Sequence, residues 1–272
     1  MSFEIKLGSY SFGNYVDTFE IQQDSRVEQV AIPRRHGYMS DVAYRGGMSI
    51  RIGGLIYCDD YNDTRTAFNL LKNAFNIGKA NLTVFSDRQI EVQKASFTSS
   101  YEDQDLRRIR WDAELVSDAY GFEDVDQTED ENIILASPQT DVVVNPGNLE
   151  TRPVIRITAG ADEIASGLRV DNLTSGKYFI FNQAIPAGTY IEIDTENLTV
   201  VNNTGTNKIN YFSGDFFELE AGNNSIQFTG TLAQGTLGLE AGDTILLENG
   251  DNLALEGTTK MKFTFRGKYD GV

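Results

Sequence analysis

The chain has 272 residues, 40% of them apolar, and a formal net charge of -17: enough apolar matter for one large core or two ordinary ones, and too much for a chain disordered throughout. That acidity argues against gripping nucleic acid, which takes clustered lysine and arginine, and no apolar run reaches the length that spans a bilayer. One cysteine, Cys58, and one histidine, His36, exclude an internal disulfide and a multi-histidine metal centre.

In chain order, the start MSFEIKLGSY carries neither a basic leader nor an apolar signal segment, so a soluble protein not exported by the usual signal is expected. MSIRI alternates Met48, Ile50 and Ile52 with Ser49 and Arg51, the period of a half-buried strand. Cys58 ends the apolar run GGLIYC and reads as a small buried hydrophobe. A helix is predicted near 61–77: Ala67, Leu70, Leu71, Ala74 and Phe75 recur at three and four residues, Asp60 or Asp63 can cap it, and Gly78 suits a left-handed closing residue. RIRWDAEL again has period two, with Ile109, Trp111, Ala113 and Leu115 on one face and Trp111 the largest core anchor.

The stretch SDAYGFEDVDQTEDENIIL holds Asp118, Glu123, Asp124, Asp126, Glu129, Asp130 and Glu131 without a base among them. Like charges repel and bury badly, so it reads as an exposed loop or extension. Pro138, Pro146 and Pro153 follow, flanking a short strand at Val142–Val144, and place a domain boundary near residue 150.

The second half shows no helix pattern. Its strand candidates are VIRIT, GLRVDNL, KYFIF, TYIEID, LTVV, FFELEAG, SIQFTG and MKFTFRGKY. The fold class expected is therefore mainly β: an N-terminal antiparallel β domain with one α-helix over 1–150, then a β-sandwich over 151–272. Within it, 237–257 repeats Leu-x-Leu-Glu-x-Gly-Asp-x with a period of eight. Calcium β-rolls use nine residues and more ligands per unit, so the octad reads as short strands and turns, an insertion whose leucines need cover.

No phosphate loop, dinucleotide fingerprint, nucleophile elbow or paired histidines occur, so no cofactor, no metal site and no enzyme are expected. Glu192 and Asp194 are the carboxylate pair a hydrolase would use, but TYIEIDTENLTVV makes Asp194 a surface or turn residue first.

Three stretches, VEQVAIPRRHGYMSDVAYRGGMSIRIGGLIY, VVVNPGNLETRPVIRITAG and FFELEAGNNSIQFTG, together with the order of the two halves, resemble the distal tail protein (Dit) family of long-tailed, siphovirus-type bacteriophages. The resemblance implies a galectin-like second domain and a homohexameric ring in the virion, made in the host cytoplasm and set at the distal end of the tail. There it would join the tail tube protein to a tail-associated tip protein, with a channel that DNA crosses without specific binding. The first domain would make the ring; the second would point outward, toward receptor-binding proteins or cell-surface sugars, and no membrane is involved. An acidic wall suits such a channel, because carboxylate and phosphate repel.

In that frame Pro33, Arg34, Arg35, His36 and Gly37 form a candidate extension toward a neighbouring subunit, although an ordinary basic loop reads equally well. The alternative is a carbohydrate-binding adhesion module contacting host glycans, for which Tyr178, Tyr190 and Tyr211 are candidate contacts against a reading as half-buried strand residues.

Overall fold

The computed structural model describes residues 4–26, 29–31, 38–40, 44–76, 78–102, 104, 106–231 and 258–271. The chain divides into two compact units, Met1–Asp126 with Lys268–Val272, and Gln127–Gly267. The boundary thus lies ahead of residue 150. Residues 128–134 and 139–145, assigned to the first domain on their prolines and acids, pair with strands of the second unit.

The first unit contains β1 (Ile5–Leu7), β2 (Tyr10–Ser11), β3 (Val16–Arg26), β4 (Gln29–Ala31), β5 (Tyr38–Ser40), β6 (Tyr44–Tyr57), α1 (Tyr61–Ala74), β7 (Lys79–Val84), β8 (Arg88–Tyr101), β9 (Arg108–Ser117) and β10 (Phe122–Asp124). Its main sheet runs β2-β1-β7-β8-β9-β6-β3, while β4 and β5 form a separate antiparallel pair. Every adjacent pair in that sheet is antiparallel. The period-two readings hold: Met48, Ile50, Ile52, Ile109, Trp111, Ala113 and Leu115 are all buried.

Asp60 caps α1, its carboxylate accepting from Asn62 N–H at 2.8 Å. Leu71 and Phe75 are buried, but Leu70 is 57% exposed, so the apolar stripe is narrower than its spacing implied. Nor does Gly78 take a left-handed conformation; the last turn closes through Phe75 N–H to Leu71 O and Asn76 N–H to Asn73 O. Phe75 joins an aromatic core with Phe12 and Phe97 around Trp111, whose ring lies 5.6 Å from that of Phe12.

The second unit contains β11 (Thr128–Ile134), β12 (Gln139–Asn145), β13 (Val154–Thr158), β14 (Leu168–Asn172), β15 (Lys177–Phe181), β16 (Tyr190–Asp194), β17 (Thr199–Asn202), β18 (Phe212–Gly214), β19 (Gly222–Thr229) and β20 (Thr259–Phe265). They form two five-stranded antiparallel sheets, β11-β20-β13-β16-β17 and β12-β19-β14-β15-β18. Ile155, Ile157, Ile191, Ile193 and Phe263 from one sheet share a single core with Val170, Phe179, Ile226 and Phe228 from the other, which makes a β-sandwich.

FFELEAG, expected as a strand, is irregular over Phe216–Glu220 and contributes buried Phe217 and Leu219, with Leu219 bridging to Thr151. The acidic stretch is likewise not a loop. It supplies β10 and β11, and its carboxylates meet bases from distant sequence: Glu129 with Lys262 at 2.7 Å, Glu131 with Lys260 at 2.8 Å and Glu123 with Lys268 at 3.3 Å.

After Gly267 the chain returns to the first unit as β21 (Lys268–Tyr269), pairing Tyr269 with Phe122 and Lys268 with Glu123 of β10. In connectivity the second unit is an insertion between β10 and β21. The octad repeat at 237–257 lies outside the described residues.

Candidate functional site

Two concave surfaces stand out, one in each unit. The first is a polar groove of about 490 Å³ on the face of the first sheet opposite its core. Its position follows from the alternation of the strands: residues out of phase with Ile50, Ile52, Trp111 and Ala113 must face away from the core. Across it Arg51 Nε donates to both oxygens of Asp112, at 3.0 and 2.9 Å; beyond its lining, Ser49 Oγ donates to Glu114 at 3.0 Å. Arg110 is ion-paired with Glu102 and Asp17. Gly53 and Gly54 leave the lining without side chains there. A Cβ on Gly54 would stand 1.6 Å from the backbone oxygen of Tyr15, so this close approach of chains admits only glycine. The groove offers hydrogen-bonding groups whose charges are largely compensated, a surface for contact rather than for proton transfer.

The second is a smaller pocket of about 140 Å³ in the sandwich. It lies by the end of β15, the start of β16 and the end of β17. Phe181, Ile185 and Ile191, none more than 3% exposed, supply its apolar part. Gln183, Tyr190, Asn203 and Lys208 supply its polar part.

The loops around this pocket are held by their own hydrogen bonds. Asn202 Oδ1 accepts from Thr204 N–H at 3.3 Å, Thr206 N–H at 2.9 Å and Thr204 Oγ1 at 2.8 Å. Gly188 N–H donates to Gly160 O at 2.9 Å, Thr189 Oγ1 to Pro186 O at 2.7 Å, and Ile185 N–H to Ile164 O at 2.9 Å. Lys208 N–H donates to Val200 O at 2.7 Å, and its ammonium lies 5.5 Å from the centroid of the Tyr211 ring.

Of the three candidate glycan contacts, the pocket brings Tyr190 into its lining and has Tyr211 beside it through Lys208. Tyr178 is elsewhere, on β15 beneath Arg169, whose guanidinium carbon is 3.9 Å from the ring centroid. Tyr190 carries Arg156 at 4.5 Å. Each tyrosine therefore already has a cation near its ring, which competes for the π face a sugar would stack on. Pro33, Arg34, Arg35, His36 and Gly37 lie outside the described residues.

Glu192 accepts from Arg156 Nη2 at 2.6 Å. Asp194 accepts from Glu196 N–H and Asn197 N–H, both at 2.9 Å, as a turn residue should. Hydrogen bonding to Glu192 is the main cause that pushes the Arg156 pKa up, ahead of the opposing cost of burial. Glu192 thus sits in a cross-strand ion pair and Asp194 in a turn, not as a poised acid and base.

Sequence reasoning missed Gln183, Asn203 and Lys208. Each is an ordinary loop residue, and only the turn signals NNTGTN and AIPAG around them marked the pocket's rim.

The NPGNLETRP junction has a structural explanation. Asn145 is buried and its Nδ2 donates to Leu149 O, Leu219 O and Glu220 O at 2.8, 3.3 and 3.2 Å, while its Oδ1 accepts from Gly147 N–H at 3.0 Å. Thr151 Oγ1 donates to Arg266 O at 2.7 Å. These side chains tie the start of the junction to two distant segments of the second unit.

Residues 146–237 match the family described as siphovirus-type tail component, C-terminal domain. Over 98% of this chain and 99% of the other, the fold is similar to the crystal structure of the SPP1 Dit protein, described as a paradigm of the hub adsorption apparatus in phages infecting Gram-positive bacteria, with a TM-score of 0.69 and 11% identity. A chain of the phage P2 baseplate in its activated conformation with calcium is similar at 9% identity and a TM-score of 0.45, with both chains fully covered, too distant to argue from. No curated protein sequence matches the chain.

Proposed function

We propose that this chain belongs to the distal tail protein family and is a structural component of a phage tail tip. In this reading it sits at the distal end of the virion tail, joins the tube to the tip, and forms a homohexameric ring around a channel for DNA. The observation that carries the reading is the match of residues 146–237 to the siphovirus-type tail component; the fold shared along nearly the whole chain extends the likeness to the first unit.

The physical chemistry agrees. A net charge of -17 lets phosphate pass without sticking. The main sheet ends in β3, an eleven-residue strand with an open edge among the described residues. Such an edge invites aggregation unless another chain covers it, and a ring of copies would do so. On this account the first domain makes the ring, with Arg34 and Arg35 reaching carboxylates of the next subunit. The second faces outward to tail-associated and receptor-binding proteins. In this reading the protein acts by geometry rather than catalysis, and the carboxylate pair a hydrolase would use, Glu192 and Asp194, is engaged by Arg156 and by its own turn.

The test is genetic and direct. Particles made without this chain should have tubes lacking a tip, with antibody against the chain labelling only the distal end of complete tails. Complete, infectious tails in its absence would refute the reading.

A further inference from the structure

We propose that the pocket beside β15, β16 and β17 binds a small polyhydroxylated ligand bearing one anionic group, a carboxylate or a phosphate. The site stands apart from the tail-tip reading, which neither requires it nor falls with it.

Three observations converge. First, the rim is preformed: the turn after β17 is closed on Asn202 Oδ1, and the turn before β16 is closed by Thr189 on Pro186 and by Gly188 on Gly160. A ligand therefore meets fixed walls and does not bear the cost of ordering them.

Second, three polar side chains of the lining are not used by the fold. Gln183, Asn203 and Lys208 make no hydrogen bond or ion pair with other described residues, whereas the backbone of Asn203 and Lys208 is bonded to Tyr190 O and Val200 O. Two amides with both donors and acceptors suit hydroxyl groups, and an ammonium suits an anion.

Third, the electrostatics are local and opposite to those of the whole. The chain holds 40 acidic and 23 basic residues, yet the pocket lining contains a lysine and no carboxylate. Lys208 is placed beside Tyr211 rather than neutralised by a neighbour. The apolar part of the lining that solvent reaches, Ala184 and Pro186, suits the C–H face of a ring or short polyol. At about 140 Å³ the space is below the ~300 Å³ at which drug-sized sites begin. It fits a single ring or a short polyol, the terminal unit of a longer polymer.

Titration of the full chain, followed by amide chemical shifts, tests this with four probes: glucuronate, glycerol phosphate, glucose and glycerol. The two anionic probes distinguish a carboxylated sugar from a phosphorylated polyol. Saturable binding of either, with shifts at Gln183, Asn203 and Lys208 and affinity at least about tenfold above its neutral counterpart, is the expected result. Lys208→Ala should lower that affinity by about tenfold or more, and Lys208→Arg should restore part of it. Lys260→Ala, at a strand ion pair outside the pocket, should leave it unchanged. Equal binding of neutral and anionic probes, binding indifferent to Lys208→Ala in a folded variant, or no saturable binding of any probe would overturn the proposal.

Discussion

The guanidinium of Arg88 lies over the ring of Tyr269, 3.5 Å from its centroid, while its Nη1 is ion-paired with Asp124. The phenol of Tyr269 donates to the other oxygen of Asp124 at 3.2 Å. The whole second unit lies between Arg88 and Tyr269 in sequence, so this contact fastens the returning end of the chain onto the unit it left at β10.

Loss of that fastening should be felt in the first unit. Tyr269→Ala removes a cation–π contact and a hydrogen bond and should cost about 2 kcal/mol. Hydrogen exchange should show faster opening of β8 and β10 with β19 unchanged. Equal loosening in both units would contradict the assignment of β21 to the first.

The same phenol predicts a pH dependence. Burial, and next the charge of Asp124, push the Tyr269 pKa above its ordinary value, so the folded state holds this proton more tightly than the unfolded chain. Its stabilising contribution is complete below the unfolded pKa of about 10 and is lost as pH rises through the higher folded value. Tyr10 shifts in the same direction, chiefly by burial. Tyr269→Phe should therefore reduce, without abolishing, the loss of stability in alkaline denaturation; an unchanged alkaline limb would count against the contact.

Asn145 is predicted to be one of the most sensitive polar positions in the second unit. Asn145→Ala leaves the carbonyls of Leu149, Leu219 and Glu220 and the N–H of Gly147 without that partner, which should cost about 3 kcal/mol in urea unfolding. A loss below about 1 kcal/mol would mean that water replaces the side chain there.

Adjacent glycines should behave differently. Gly54→Ala drives a methyl into the backbone oxygen of Tyr15 and should cost about 3 kcal/mol or more. At Gly53 the nearest atom is the Asp112 carboxylate at 3.1 Å, the end of a side chain that can move, although the Trp111 backbone oxygen at 3.3 Å must also give slightly. Gly53→Ala should cost about 1 kcal/mol or less, read as a change in the unfolding midpoint. The reverse order would show that the approach of β6 to Tyr15 is mistaken.

Much of this architecture is legible in the sequence because a half-buried strand writes its burial as alternation: Met48–Ile52 and Ile109–Leu115 could be read directly, as could the turn made by Asp194. What could not be read is what depends on distant partners. Glu129 and Glu131 look like a solvated run until Lys262 and Lys260 arrive from β20. Leu70 fits a helical stripe, yet it falls beyond the arc that the sheet covers. Pro146 and Pro153 mark a rigid junction but not a domain edge, because β11 and β12 precede them and already belong to the sandwich. Gln183, Asn203 and Lys208 acquire meaning only when two separate segments place them around one small space.

The account rests on copies of this chain encircling the tail axis. A cryo-electron microscopy reconstruction of the distal tail of complete particles tests it most directly. The predicted result is six copies in a closed ring at the end of the tube, their first units lining an open channel. A single copy, or copies arranged without a common axis, would contradict it.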